Sequence, residues 1–181
     1  MRAGIDLDGV VHAWSPTVRR ILLAKFGVDV GESETWDWIK DHSTPEMWKW
    51  LWSNEGIRSG QYLGPLYPDA LLGLKKIAYD QDIIVITARP KAAIPNTLYW
   101  LGIHGIEAKE IHVLGHSEKK SAIPCDWYVD DKPENCIDLA TTGKPVFLFD
   151  QKWNASFEAP GVKRVLSWYE LLKAIPGTYS G

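Results

Sequence analysis

The chain has 181 residues, of which 45% are hydrophobic and 24% are charged, and its formal net charge is −3. This composition favours a globular chain over a disordered one, and the length allows one domain with its own core and a small additional segment. The weakly acidic balance, without a basic run, argues against a stable nucleic-acid partner, and no apolar run reaches the roughly 18 residues of a membrane span.

The chemistry of the cysteines bears on the cellular compartment. Cys125 and Cys136 form neither a CxxC pair nor a metal-ligand spacing, which is typical of reduced thiols in a cytoplasmic protein. A strand-like run follows Met1 directly, so we expect no signal peptide and a cytoplasmic location. The sequence leaves the oligomeric state open, and a homodimer is one of the states allowed.

Short apolar runs alternate with helix-like stretches along most of the chain. The runs predict strands at Ala3–Leu7, Asp82–Thr87, Glu110–Leu114, Trp127–Val129 and Pro145–Phe149. Apolar periodicity and helix-boundary residues predict intervening helices at Leu71–Tyr79, Thr97–Leu101 and Pro133–Ala140. Strands that alternate with helices predict an α/β fold, in which a mostly parallel central sheet is flanked by helices.

Residues 15–68 interrupt this alternation, because no strand-like run occurs among them. Apolar spacing predicts a helix at Thr17–Phe26. We therefore predict two parts, which are a core of residues 1–14 and 69–181 and a small helical cap of residues 15–68. The cap would be inserted between the first and second strands.

A second helix of this segment is predicted from the stretch STPEMWKWLW. Ser43 and Glu46 match a capping box, and Pro45 falls in the first turn. The segment is rich in tryptophan, and large aromatic side chains are a common way to fill a small core. Five of the ten tryptophans lie here within 17 residues, at Trp36, Trp38, Trp48, Trp50 and Trp52.

Polar residues end several of the predicted strands. Asp6 and Asp8 close the first strand, Thr87 closes the second, and Asp130 and Asp131 follow the fourth. Ligands of an open parallel sheet bind at the carboxyl ends of its strands. We therefore expect the four acids and the hydroxyl to meet at one edge of the sheet.

Such a cluster of acids needs a compensating cation, because each carboxylate raises the pKa of its neighbours. Hard oxygen ligands suit Mg²⁺, and a carboxylate beside it can act as a nucleophile. Gly9 would allow the chain to turn, so that Asp8 swings over a leaving group as a general acid. A solvated strand end is the plain alternative, and a calcium loop is disfavoured because no DxDxDG with a distal Glu follows.

Four motifs together resemble those of the haloacid dehalogenase superfamily of phosphohydrolases. DLDGV resembles the first motif, VITA the second and YVDDKPEN the acidic fourth, and a lysine precedes the fourth strand as the third motif requires. Within the superfamily, the chain resembles the 5′(3′)-deoxyribonucleotidase family in KSAIPCDWYVDDKPEN, in LFDQKWN and in the place of its helical insert. The resemblance implies a Rossmann-like core with a small helical cap.

The resemblance also implies a role for each matching residue. Asp6 would be the nucleophile that forms an aspartyl-phosphate, and Asp8 the general acid and then the general base. Thr87 and Lys120 would bind the phosphoryl group, and Lys120 is preferred to Lys119 because KSAIPCDWYVDD aligns best from it. The Mg²⁺ ligands implied are Asp6, Asp8 through its backbone carbonyl, Asp130 and Asp131.

Further substrate contacts are predicted in the second-motif loop and in the cap. Ala88 and Arg89 follow the second strand and are phosphate-contact candidates, although an unconstrained loop arginine is an equal alternative for Arg89. A nucleobase needs an aromatic face to stack on, so Trp48, Trp52 and Tyr62 are candidate substrate contacts. Packing within the cap is the alternative for these aromatic side chains.

Three other polar residues lie near predicted strand ends. The histidines show no ligand spacing, and only His12 lies close to the first motif, as a candidate pocket residue. Asp150 and Asn154 are expected to fix the loop after the fifth strand.

The function predicted is that of a Mg²⁺-dependent phosphomonoesterase, which uses an aspartyl-phosphate intermediate and releases phosphate from nucleoside or deoxynucleoside monophosphates. One alternative is the same chemistry on another small ester, such as a sugar phosphate. A DNA 3′-phosphatase is a second alternative, against which the missing basic stripe counts. A non-catalytic phosphate-binding module is the third, and the presence of every key side chain counts against it.

Overall fold

The computed structural model describes residues 1–115 and 118–177. Within these ranges, the strands form one six-stranded sheet in the order β3-β2-β1-β4-β5-β6. Every neighbouring pair is parallel, which confirms the predicted α/β fold. The strands are β1 (Arg2–Ile5), β2 (Asp82–Thr87), β3 (Glu110–Val113), β4 (Trp127–Asp130), β5 (Val146–Phe149) and β6 (Val162–Val165).

The strand order reverses at β1, and this reversal creates a crevice at the carboxyl edge of the sheet. From β1 the chain builds outward through β2 to β3, and it then returns to place β4 on the other side of β1. Ala3 pairs with Trp127 and Ile5 with Val129, so β1 and β4 end side by side. Ligands of such sheets bind at this switch point.

Helices cover both faces of the sheet, and β2 shows why its apolar run is continuous. Ile83 and Val85 contribute to one buried cluster, while Ile84 and Ile86 contribute to the cluster on the opposite face. A strand buried on both faces is apolar at every position, because its side chains alternate between the faces. The covering helices are α5 (Ala70–Ile77), α6 (Ile94–Ile103), α7 (Pro133–Ala140) and α8 (Trp168–Ala174).

The segment between β1 and β2 is helical and has an apolar cluster of its own. It contains α1 (Trp14–Phe26), α2 (Trp38–His42), α3 (Pro45–Leu51) and α4 (Asn54–Arg58). Their shared cluster comprises Val18, Leu22, Val30, Trp38, Ile39, Met47 and Leu51. The division into a core and a cap at residues 15 and 68 stays a prediction, and residues 178–181 of the predicted core lie outside the described ranges. In the described part of the chain, each helix is too short or too polar to cross a bilayer.

Two local predictions were wrong. The strand β6 was not predicted, because Lys163 and Arg164 make it polar, as an edge strand with one covered face can be. The helix α3 is capped by Thr44, whose hydroxyl accepts the Met47 backbone N–H at 3.2 Å. Ser43 is not the cap because it ends α2, where its N–H donates to the carbonyl of Ile39.

The contact between α5 and α8 depends on a glycine. A Cβ at Gly73 would lie 2.3 Å from Cε3 of Trp168, so we expect Gly73→Ala to lower the free energy of unfolding by about 1–3 kcal/mol. Gly102→Ala in α6 is the matched control, because nothing lies within 4 Å of its Cβ. It should raise stability by about 0.5–1 kcal/mol. Urea unfolding followed by circular dichroism measures both, and equal effects would contradict the packing role of Gly73.

Candidate active site

A tight turn delivers two acids from the end of β1. The backbone N–H of Asp6 donates to the carbonyl of Val129 at 3.1 Å and so extends the pairing with β4. The carbonyl of Leu7 then accepts the N–H groups of Val11 and His12, both at 2.8 Å, which closes the turn. Asp6 therefore lies inside the crevice, while Asp8 lies on the turn beyond it.

Gly9 is required in this turn for two reasons. Its φ of +86° belongs to the left-handed region, which side chains with a Cβ rarely adopt. A Cβ at this position would also lie 2.2 Å from Oδ2 of Asp131. The backbone of the turn therefore packs directly against the carboxylate of Asp131, in the loop after β4.

A buried lysine joins the acids of β1 and β4. Nζ of Lys120 lies 2.8 Å from Oδ1 of Asp6 and 2.6 Å from Oδ2 of Asp130, and the lysine is 5% exposed. Lys119 instead has a side chain that is 77% exposed and pairs with Asp138 at 3.4 Å. Of the two adjacent lysines, the structure thus brings Lys120 to the acids.

The acids of β4 have further fixed partners. Asp130 accepts the backbone N–H of Lys132 at 2.9 Å and the side-chain amide of Asn135 at 3.1 Å. Oδ2 of Asp131 accepts the indole N–H of Trp153 at 2.9 Å. Asn154 donates to the Asp131 carbonyl at 2.8 Å, so the loop after β5 holds the loop after β4.

The three crevice acids form one cluster. Among the described residues, Asp6, Asp130 and Asp131 form the group that could hold a metal ion, with ligand oxygens within 4.8 Å of one another. Burial and neighbouring carboxylates outweigh Lys120 and raise the pKa of Asp6 to about 7. Burial and the charges of Asp130 and Asp6 also raise the pKa of Asp131 well above its ordinary value. The cluster therefore offers three carboxyl groups to a single ammonium group, and burial favours the protonated forms of Asp6 and Asp131 when no further cation is bound.

The surroundings of Asp8 shift its pKa in the direction opposite to that of Asp6. Arg89 donates from Nε to Oδ2 at 2.8 Å and from its terminal nitrogen to Oδ1 at 2.7 Å. Nδ1 of His12 lies 2.6 Å from Oδ1. Although burial favours the neutral acid, the charge and hydrogen bonds of Arg89, together with His12, lower the pKa of Asp8 well below its ordinary value.

A comparison with known families decides where this chain belongs. The model of the family described as 5′ nucleotidase, deoxy (pyrimidine), cytosolic type C protein matches residues 1–176. The chain belongs to this family. A protein of Oceanobacillus iheyensis, provisionally named a nucleotidase, is 30% identical over 118 residues, which cover 60% of this chain and 61% of that relative. The match thus spans less than two thirds of the relative's length.

Solved structures share the fold. L-2-haloacid dehalogenase from Xanthobacter autotrophicus, with chloropropionic acid covalently bound, has a TM-score of 0.66 and 11% identity over 98% of this chain and 99% of its own. A haloacid-dehalogenase-type hydrolase from Bacillus subtilis, bound to magnesium, has a TM-score of 0.65 and 12% identity over 95% of this chain and 96% of its own. These likenesses and the family match confirm the predicted superfamily and its deoxyribonucleotidase branch.

Three predicted substrate contacts of this nucleotidase-family chain lie at the end of β2 and in the loop that follows it, and their surroundings differ. Thr87 ends β2 and is 1% exposed, with its hydroxyl 3.4 Å from the N–H of Arg89. Ala88 is exposed at the same edge. The guanidinium of Arg89 points to Asp8 and also donates to Thr97 at 3.1 Å. The substrate contacts predicted for these residues stay predictions.

The predicted aromatic contacts differ in accessibility. Trp48 and Trp52 are 39% and 41% exposed, and their rings meet edge to face at 5.6 Å. Tyr62 is buried, and the Arg89 guanidinium lies 4.8 Å from its ring centroid. The two tryptophans therefore present ring surface, whereas Tyr62 packs against the arginine; all three substrate contacts stay predictions.

Sequence reasoning missed two residues that hold the acids. Trp153 and Asn135 bond directly to the crevice carboxylates Asp131 and Asp130. The signal available for them was their position, because Trp153 follows β5 and Asn135 lies in the first turn of α7, both at the same edge of the sheet. Asn154 fixes the fifth loop as predicted, by donating to the carbonyl of Phe149 at 2.9 Å.

Gly9→Ala tests the close packing at the cluster of Asp6, Asp130 and Asp131. We expect the new methyl group to displace Asp131, and hence to weaken the Mg²⁺ binding that we propose for this cluster at least about tenfold, the scale of a lost supporting contact. Gly27→Ala is the matched control, since Gly27 has a φ of +68° and nothing within 4 Å of its Cβ. Both changes should cost about 1–2 kcal/mol of backbone strain. Isothermal titration with Mg²⁺ separates them, and unchanged affinity in Gly9→Ala would contradict this role.

Proposed function

We propose that this protein is a Mg²⁺-dependent phosphomonoesterase that releases phosphate from nucleoside or deoxynucleoside monophosphates. The observation that carries the proposal is the meeting of Asp6, Lys120, Asp130 and Asp131 at the switch point of the sheet. The family match over residues 1–176 supports a nucleotidase. The family's description as cytosolic and the free thiols Cys125 and Cys136 support a cytoplasmic location.

Asp6 has the setting of a nucleophile. Lys120 bonds to Oδ1 of Asp6, which leaves Oδ2 to attack phosphorus while the ammonium group balances phosphate charge. The bond between phosphorus and the ester oxygen breaks, and an aspartyl-phosphate forms on Asp6. The Thr87 hydroxyl, at the end of β2, would donate to a phosphoryl oxygen.

Asp8 would move the protons of both steps. It donates a proton to the departing nucleoside oxygen, and it later accepts one from the water that hydrolyses the aspartyl-phosphate. Arg89 and His12 favour the carboxylate, which is the form that the second step uses. A bound phosphate dianion raises the pKa of an adjacent carboxyl by like-charge repulsion and so supports the protonated form in the first step.

The crevice acids fit a divalent cation. Asp131 is buried with a raised pKa, and in the part of the chain that the structure describes, the ion pairs of Lys120 go to Asp6 and Asp130. Buried carboxylates without full compensation, offering oxygen ligands, suit Mg²⁺. The side chains of Asp6, Asp130 and Asp131 and the carbonyl of Asp8 would hold the ion, which supplies charge neutralisation and orients the phosphate.

The helical segment would act as the cap that selects the leaving group. Its four helices connect β1 to β2, and both strands end at the crevice. The exposed rings of Trp48 and Trp52 offer surface for a base, since aromatic faces stack on nucleobases. A nucleotide is therefore favoured over a sugar phosphate.

Asp6→Asn tests the proposed chemistry. The amide cannot form an aspartyl-phosphate, so we expect turnover to fall to the background level while the circular dichroism spectrum stays unchanged. Asp126→Asn, at the amino end of β4, is the matched control and should keep full activity. Phosphate release is measured on deoxynucleotides, ribonucleotides, sugar phosphates and 3′-phosphorylated oligonucleotides. A preference for either of the last two classes would overturn the nucleotidase proposal, and full activity of Asp6→Asn would overturn the mechanism.

Mg²⁺ binding should depend on pH in a defined direction. Below the Asp6 pKa of about 7, a proton occupies the carboxyl and must leave when the ion binds. The apparent affinity should therefore fall as the pH drops through the Asp6 pKa, and the raised pKa of Asp131 adds to this fall, because its proton must leave as well. Titration calorimetry in buffers of different ionisation enthalpy measures the affinity and the released protons. Affinity that does not change with pH would contradict this assignment, as would activity that survives EDTA.

A further inference from the structure

The Asp8 carboxylate uses its oxygens unequally. Oδ1 accepts from Nδ1 of His12 at 2.6 Å and from a terminal nitrogen of Arg89 at 2.7 Å. Oδ2 accepts only one of these bonds, from Nε of Arg89 at 2.8 Å. A carboxylate oxygen offers two lone pairs, so both sites of Oδ1 are taken. Oδ2 keeps one site.

His12 is fixed in the tautomer that donates to Asp8. The backbone N–H of Gly64 donates to its Nε2 at 3.0 Å, so this nitrogen carries no proton and Nδ1 carries it. The ring is 0% exposed and meets the edge of Trp100 at a centroid distance of 5.0 Å. His12 therefore supplies a rigid neutral donor at a single position.

Arg89 is equally constrained, although it comes from the other side of the crevice. Its guanidinium donates to Thr97 at 3.1 Å, and it lies over the rings of Tyr62 and Trp100 at 4.8 Å and 5.4 Å. The arginine side chain is 0% exposed, while that of Asp8 is 25% exposed. The accessible part of this ion pair is thus the carboxylate.

We propose that Arg89 and His12 are positioning residues, which fix the Asp8 carboxylate so that Oδ2 exchanges protons with the substrate oxygen and with water. The proposal rests on the proposed phosphomonoesterase function. It gives Arg89 a role that differs from the predicted phosphate contact, because the fork of its guanidinium is engaged with Asp8.

Two substrates separate positioning of Asp8 from other effects. A nucleoside leaves as a basic alkoxide and needs a proton from Asp8, whereas p-nitrophenolate leaves without one. Misplacing Asp8 should therefore slow leaving-group release in the first turnover far more for a nucleoside monophosphate than for p-nitrophenyl phosphate. The later hydrolysis of the aspartyl-phosphate is common to both esters, so the first-turnover rate is measured by rapid quench with enzyme in excess. General fold damage slows both esters equally, and loss of a phosphate contact raises KM for both.

His12 offers a matched pair of replacements of similar size. In His12→Asn, the side-chain amide can take the place of the Nδ1–H donor, whereas His12→Leu has no donor. With saturating Mg²⁺, we expect His12→Leu to lower the first-turnover rate about 100-fold on the best nucleotide and less than about fivefold on p-nitrophenyl phosphate, in line with the usual contribution of general acid–base groups. KM should stay within about threefold, and His12→Asn should recover most of the first-turnover rate. His112→Leu, which removes a histidine bonded to Glu110 on β3, is the control.

Arg89 is tested in the same assay with Arg89→Lys and Arg89→Met. Lysine keeps the charge but cannot make the two-pronged contact, so both variants should lose first-turnover rate on the nucleotide to a similar degree. Arg2→Met is the matched control, because Arg2 makes a comparable fork to Glu110 at 2.6 and 3.0 Å at the amino end of β1. Full recovery by lysine would show that charge alone matters and would overturn the positioning role.

The outcomes separate this inference from the function on which it rests. If the unaltered protein hydrolyses none of the nucleotides, the proposed function fails. If it hydrolyses them and the variants lose first-turnover rate equally on both esters, or change KM instead of this rate, the positioning role fails. Thermal melting identifies any variant that does not fold, and His12→Asn and Arg89→Lys then still decide the question, because positioning predicts recovery in the first and loss in the second.

Discussion

Three carboxylates buried around one ammonium group are the constraint on which the carboxyl edge of this sheet depends. Asp6, Asp130 and Asp131 have ligand oxygens within 4.8 Å of one another, and Lys120 bonds to the first two. Removing such charges from water costs several kcal/mol per ion unless partners compensate. The surrounding donors, from Asn135 and from the loops after β4 and β5, serve this compensation. The crevice still offers three carboxylates to one ammonium group, an arrangement that suits a bound cation.

The two acids of the first motif stand two residues apart, yet their surroundings drive their protonation in opposite directions. Asp6 enters the crevice, where burial raises its pKa to about 7, and Asp8 lies beyond the turn, where Arg89 and His12 lower its pKa despite burial. Pairs of titratable groups with diverging environments mark separate chemical roles. The turn at Gly9 produces this divergence, because it carries Asp8 out of the line of β1 and toward the second-motif loop.

Much of the fold and of the crevice could be predicted from the sequence, because both depend on local signals. Continuous apolar runs identified five strands, and the acids at their ends identified the edge where they meet. Hydrogen bonds between residues that are distant in sequence had no such local signal. The bond between Arg89 and Asp8 joins residues 81 positions apart, and that between Trp153 and Asp131 spans 22. The polar edge strand β6 was missed for a related reason, since its partner β5 supplies most of its support.

The two partners of Asp8 contact the stretch of chain that leads from the inserted helices back to α5. Arg89 reaches Asp8 from the loop after β2, but the ring beneath Arg89 is Tyr62, and the donor that orients His12 is the backbone of Gly64. Both of these residues lie where the helical segment returns toward α5. The crevice acids, by contrast, take their side-chain partners from residues 120–153. Sequence change in the helical segment can therefore alter the surroundings of Asp8, and with them the proton transfer that we propose for it, while the contacts of the crevice acids stay intact.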